Sequence, residues 1–125
     1  MSLDLKIREK GGAVVVDLSG RLTLGEEASK LRQQLQEITA AGKKKILLNL
    51  AALTYVDSCG IGLLVGTYAT MSRIGGQFKL ANLNNRVRDL LLITKLYTVF
   101  EVYNDEGSAL ASFLDIETRA AAHRQ

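Results

Sequence analysis

The sequence contains no proline and no tryptophan, and a single cysteine and a single histidine. One cysteine excludes an internal disulfide and fits a reducing compartment. Cys59 and His123 lie far apart in the chain. They offer neither metal-ligand spacing nor a Cys/His nucleophile pair. No proline-rich linker, repeat or low-complexity tract divides the chain. Long apolar runs are also missing, and none approaches the ~20 residues of a membrane span. The start lacks the basic segment and apolar block of a secretion signal. The expectation is a cytoplasmic protein with no membrane insertion. Aromatic residues are few, four tyrosines and three phenylalanines, and the net charge is only +3. The basic residues are scattered, from Lys43-Lys44-Lys45 through Arg86 and Arg88 to Arg119 and Arg124. Nucleic-acid binders show a denser basic stripe with aromatics on which bases stack. Direct nucleic-acid binding is therefore not expected.

What is present suits one ordinary core. The chain has 125 residues, of which 47% are hydrophobic. That is enough for one domain, residues 1–125, without metals or crosslinks. Leu3, Leu5 and Ile7 alternate with polar residues and predict an edge strand. Gly11-Gly12 predicts a hairpin turn into a β-branched strand from Ala13 to Ser19. Thr23 to Glu26 has the spacing of a capping box. The helix after it places Ala28, Leu31, Leu35 and Ile38 on one face and stops at Gly42. Lys45 to Leu50 reads as a strand covered on both faces. A helix then runs to about Ile74, closed by Gly75-Gly76. Further elements are a strand from Phe78 to Leu83 and a helix through about Thr94, capped by Asn84 or Asn85, that buries Val87, Leu90 and Leu91. A strand from Val99 to Val102 follows, then a last helix capped by Asn104 or Asp105, using Ala109, Leu110, Phe113 and Leu114. The core spans about 5–114, and 115–125 either extends the last helix or frays. This alternation predicts an α/β fold with a mixed sheet under helical cover.

Asp57-Ser58-Cys59-Gly60-Ile61-Gly62 stands where a strand hands over to a helix. Helix N-termini present unpaired N–H groups and partial positive charge, so a phosphate on Ser58 would be stabilised there. The structural alternative makes Ser58 an N-cap. Asp57 caps the helix or favours its dipole, and can at the same time orient the Ser58 hydroxyl. Gly60 and Gly62 each lower helix propensity by about 1 kcal/mol relative to alanine. They permit close approach of another backbone or of a kinase active site. Cys59 reads as a small packing residue, with a redox role as the alternative. Asn84-Asn85-Arg86 reads as capping plus solvated charge. No Gly-x-Ser-x-Gly elbow or Walker-type loop is present. A catalytic role for Ser58 or Cys59 as nucleophile lacks a base, and no catalytic residue, cofactor or metal is expected.

Val56-Asp57-Ser58-Cys59-Gly60-Ile61-Gly62 resembles the Asp-Ser-(Ser/Thr)-Gly-(Leu/Ile)-Gly signature of the STAS domain, the fold of anti-sigma factor antagonists. Leu18-Ser19-Gly20-Arg21-Leu22, Leu48-Asn49-Leu50 and Ile74-Gly75-Gly76 extend the resemblance from about Leu5 to Leu114. It implies a single-domain, mostly parallel sheet with helices packed mainly on one face. It also implies a binding module with no catalysis of its own. The unphosphorylated form would bind an anti-sigma factor that is a serine kinase and free the sigma factor. Phosphorylation at Ser58 would abolish that binding, and a PP2C-like, metal-dependent phosphatase would reset it. Partner contact would fall on Asp57, Ser58, Cys59, Gly60, Ile61, Arg21, Thr23 and Asn84. Two positions depart from the family pattern: Cys59, where a hydroxyl is usual, and Thr23, where an acid is common. A non-switching STAS subunit of a stressosome-like or lipid-transport ATPase complex is the alternative, and a homodimer stays open.

Overall fold

Gly11 and Gly12 have φ of 62° and 82°. A two-residue turn of type I′ takes positive φ at both positions, and its twist matches that of its strands. They join β1 (Leu3–Lys10) antiparallel to β2 (Ala13–Leu22), with Lys10 opposite Ala13 and Leu3 opposite Gly20. The computed structural model describes residues 3–113. Expectations for Leu114, for residues 115–125 and for His123 lie outside them.

After the hairpin the chain alternates through α1 (Glu26–Ala40), β3 (Lys45–Val56), α2 (Ser58–Arg73), β4 (Gln77–Ala81), α3 (Asn85–Ile93), β5 (Glu101–Tyr103) and α4 (Glu106–Ser112). The five strands lie in chain order in one sheet, and every pair after the hairpin is parallel. Each parallel step needs a crossover, which α1, α2 and α3 supply. The expected α/β fold with a mixed, mostly parallel sheet is thus found.

One face of the sheet carries the main core. Val14, Val16 and Leu18 of β2, Ile46, Leu48 and Leu50 of β3, and Phe78 and Leu80 of β4 pack with Leu31 and Leu35 of α1, Leu64 and Met71 of α2, and Val87 and Leu91 of α3. The other face carries α4 and a smaller cluster of Val15, Leu47, Ala81 and Ala109. Three helices against one is the asymmetry that the resemblance implies.

Several boundaries move. β3 does not stop at Leu50. It continues to Val56, because Ser19–Leu22 of β2 extend alongside it through two register shifts. Those shifts break the period-2 pattern that would have marked the extension. β4 ends at Ala81, where Asn82 turns left-handed at φ 61°. β5 is Glu101–Tyr103, leaving Val99 and Phe100 ahead of it. The capping box at Thr23 does not form. Gly25 is the N-cap of α1 with no side-chain bond, and Thr23 instead accepts the Ala28 N–H on its backbone carbonyl at 3.1 Å. The open caps resolve as Asn84 for α3 and Asp105 for α4, each accepting an N–H three residues on.

Candidate functional site

β3 delivers the chain to α2 with no intervening loop. Asp57 is the N-cap, in extended conformation, and Ser58 is the first helical residue. The structural alternative for Ser58 is thereby taken by its neighbour. One carboxylate oxygen of Asp57 accepts the Gly60 N–H at 2.9 Å, and the other accepts the Leu24 N–H at 2.9 Å. The Asp57 N–H donates to the Leu22 carbonyl at 3.2 Å. One residue therefore fastens the start of α2 to the β2–α1 loop. The N–H of Gly60, then that of Leu24, hold the Asp57 carboxyl below its ordinary range, so it is ionised at neutral pH. Relieved of capping, Ser58 is exposed.

Gly60 lies beneath this turn and is buried. A Cβ there would stand 2.6 Å from Val56 Cγ2 and 2.7 Å from the Leu22 carbonyl oxygen. Its lack of a side chain serves the packing of α2 on β2, so Gly60 presents no surface. Gly62 is different, because a Cβ there meets nothing within 4 Å. It sits one turn after Ser58 on the same helix face.

Ser58 and Cys59 open onto different hollows. Ser58, with Tyr55 and Ile61, forms one wall of a cleft of about 880 Å³, and Arg86, Asp89 and Ile93 of α3 form the other. Cys59 instead lines a groove of about 510 Å³ between α1 and α2, with Gly62 and Gly66. Ile61 is 7% exposed and contributes the floor of the α3 cleft more than its rim. Arg21 stacks its guanidinium 4.5 Å from the Tyr55 ring centre, at the β3 end of the cleft. Thr23 lies in the loop held by Asp57. Asn84 is turned inward: besides capping α3 it donates its amide N–H to the Leu53 carbonyl, tying α3 to β3.

The sequence reading missed the apolar rim. Ile93 is 77% exposed and Leu24 is 75% exposed, beside the cleft and the Asp57 bridge respectively. A signal existed for Ile93. Leu90-Leu91-Leu92-Ile93 is a run of four apolar residues on one helix, and such a run cannot all face inward at 3.6 residues per turn. Ile93 gives the cleft an apolar edge on α3, and Leu24 adds an exposed apolar side chain on the β2–α1 loop. Among the described residues no three His, Cys, Asp or Glu side chains gather to hold a metal ion, and no helix is long and apolar enough to cross a membrane.

The model of the STAS domain family matches residues 4–109. The chain is 30% identical over 111 residues to the anti-sigma F factor antagonist of Paenibacillus polymyxa, covering 88% of this chain and 94% of that one. An anti-sigma factor antagonist from Mycobacterium paratuberculosis superposes with a TM-score of 0.78 at 23% identity, over 90% of this chain and 95% of that one. The Bacillus cell fate determinant SpoIIAA in its phosphorylated form does so with a TM-score of 0.69 at 21% identity, over 86% and 97%. The order of strands, the Asp57–Ser58 turn into α2 and the family match over most of the length agree, and the chain belongs to the STAS domain family.

Proposed function

We propose that the chain is an anti-sigma factor antagonist and that Ser58 is its phosphorylation switch. The observation that carries the reading is the exposed Ser58 hydroxyl at the mouth of an apolar-rimmed cleft, with helix capping done by Asp57. Its relatives' name and the phosphorylated form of a structural neighbour support it. The unphosphorylated surface binds an anti-sigma factor that is also a serine kinase, and so frees the sigma factor. In the kinase, Ser58 Oγ attacks the γ-phosphorus of ATP. The new O–P bond forms as the bond to ADP breaks, and the hydroxyl proton passes to a base of the kinase. A PP2C-like phosphatase adds water, releases inorganic phosphate and restores the hydroxyl.

The phosphate adds about −1.5 to −2 charges. It stands beside the ionised Asp57 and the exposed Leu24 and Ile93. A partner surface shaped to a neutral hydroxyl and an apolar rim would have to desolvate that dianion. The chain itself acts as substrate and binding module, in the cytoplasm.

The experiment combines the chain, ATP and a candidate serine kinase drawn from its genomic neighbourhood. Intact mass should rise by one phosphate, and the rise should vanish in Ser58→Ala. Affinity for the kinase should fall about a hundredfold on modification, which is roughly 2.7 kcal/mol. Unchanged mass, with tight binding to another protein, would replace the switch by a non-switching STAS subunit.

A further inference from the structure

We propose that Arg86 is the internal counter-ion of phosphorylated Ser58, its guanidinium closing across the α2–α3 cleft onto the phosphate. The inference rests on the phosphorylation reading above and concerns where the added charge goes.

The start of α2 is a poorer phosphate site than its position suggests. A helix offers its first N–H groups to an anion. Here the Gly60 N–H is already held by the Asp57 carboxylate, and the Ile61 N–H by the Asp57 carbonyl at 3.0 Å. A donor of the adjoining loop, the Leu24 N–H, is held by the same carboxylate. A phosphate on Ser58 therefore finds the Gly60, Ile61 and Leu24 donors engaged and a like charge next door. Its remaining acceptors need a partner from elsewhere.

The facing wall of the cleft supplies one. Arg86 lines the same cleft as Ser58 and is exposed. Among the described residues it makes no hydrogen bond or ion pair. The other arginines around the site are engaged: Arg21 stacks on Tyr55, and Arg88 donates to the Tyr97 hydroxyl at 2.9 Å. The position of Arg86 is also contrary to the needs of its own helix. It stands in the first turn of α3, which contains no acidic residue. The positive end of the helix dipole there favours an anion and disfavours a cation. A phosphate across the cleft removes that conflict, and the guanidinium fork matches phosphate oxygens in pairs. Asp89, three residues further along α3, also lines the cleft and opposes the dianion, so Arg86 is the one basic side chain on that wall. Once made, the pair bridges α2 to α3 over Ile61 and Tyr55. Phosphorylation then closes the cleft as well as charging its mouth.

The test installs phosphoserine at position 58 during translation, so no kinase is needed. The phosphate is titrated by phosphorus NMR in the Arg86 chain, in Arg86→Ala and in Arg86→Gln. A cation in contact favours the dianion. Its second ionisation should fall at least roughly half a pH unit lower with Arg86 than with either variant. Arg86 is exposed, and glutamine keeps part of the stem, so the measurement does not depend on one variant folding. Superimposable titrations of the Arg86 chain and a folded variant would overturn the pairing and leave the switch standing. A Ser58 that its kinase never modifies would overturn the switch and leave this titration to report on Arg86.

Discussion

Two glycines in the first turns of α2 separate what the fold needs from what the surface needs. At Gly60 an added methyl meets Leu22 and Val56 well inside contact distance, one of the atoms being a backbone oxygen that cannot swing away. Overpacking of this kind costs about 1–3 kcal/mol. The gain in helix propensity returns about 1 kcal/mol. Gly60→Ala should therefore destabilise by up to roughly 2 kcal/mol net. At Gly62 the same methyl meets nothing. Gly62→Ala should stabilise by up to about 1 kcal/mol. Urea unfolding of the two variants checks the opposite signs, and a stabilised Gly60→Ala would refute the buried contact. Folding alone would thus prefer alanine at position 62. Its glycine agrees with a partner approaching the Ser58 face of α2.

At the scale of elements, α4 is the part that propensity explains least. It is a seven-residue helix, too short to hold itself. It is fastened at both ends by side chains from the sheet. At its start Arg8 of β1 pairs with Glu106 while also gripping Asp17 of β2 at 2.7 and 2.9 Å. At its end Lys79 of β4, only 2% exposed, donates to Ser112 Oγ at 2.9 Å and to the Ser112 carbonyl at 3.1 Å. Lys79 also pairs with Glu101 at 3.2 Å and lies 4.9 Å from the centre of the Phe113 ring. The two partners of that ion pair are unequal, because the Glu101 side chain is 52% exposed. Removing Glu101 leaves a buried ammonium without its anion. Removing Lys79 leaves a carboxylate that water can reach. Glu101→Ala should cost about 2 kcal/mol or more, whereas Lys79→Met, which exchanges the buried charge for an apolar stem, should cost less. Chemical denaturation of both variants decides it, and a larger loss in Lys79→Met would show that the hydrogen bonds to Ser112 outweigh the buried charge.

For the whole molecule, legibility followed sequence distance. The hairpin, the apolar stripe of α1 and the Asp57–Ser58 handover are set by neighbouring residues, and each was readable. The extension of β3 to Val56, the contact of Gly60 with Leu22 and the bridge from Asp57 to Leu24 depend on parallel pairing of β2 with β3. No local pattern encodes that register. The same long-range pairing gathers the charges that govern acid stability. Asp17 and Glu106 are both held below their ordinary carboxyl values, first by the hydrogen bonds from Arg8. Asp57 is lowered by the Gly60 and Leu24 N–H groups, and Asp105 by Ser108. A carboxyl lowered on folding binds its proton more readily when unfolded. The stability it adds is complete above the unfolded value and disappears as pH falls through the folded one. Among the described residues these carboxyls give stability that holds through neutral pH and declines below the ordinary values of 3.8 for aspartate and 4.5 for glutamate. Arg8→Met isolates the largest cause. At pH 7 it should cost roughly 1–2 kcal/mol, reduced from a fully buried network because both ends of the contact reach solvent. As pH falls below about 4, protonation of Asp17 and Glu106 removes the interaction from the parent as well, and the two unfolding curves should converge. Urea titrations at pH 7, 5, 4 and 3 measure the gap. A gap that stays constant to pH 3 would mean that Arg8 acts through packing of its stem, and that the charge network does not set the acid limit of the fold.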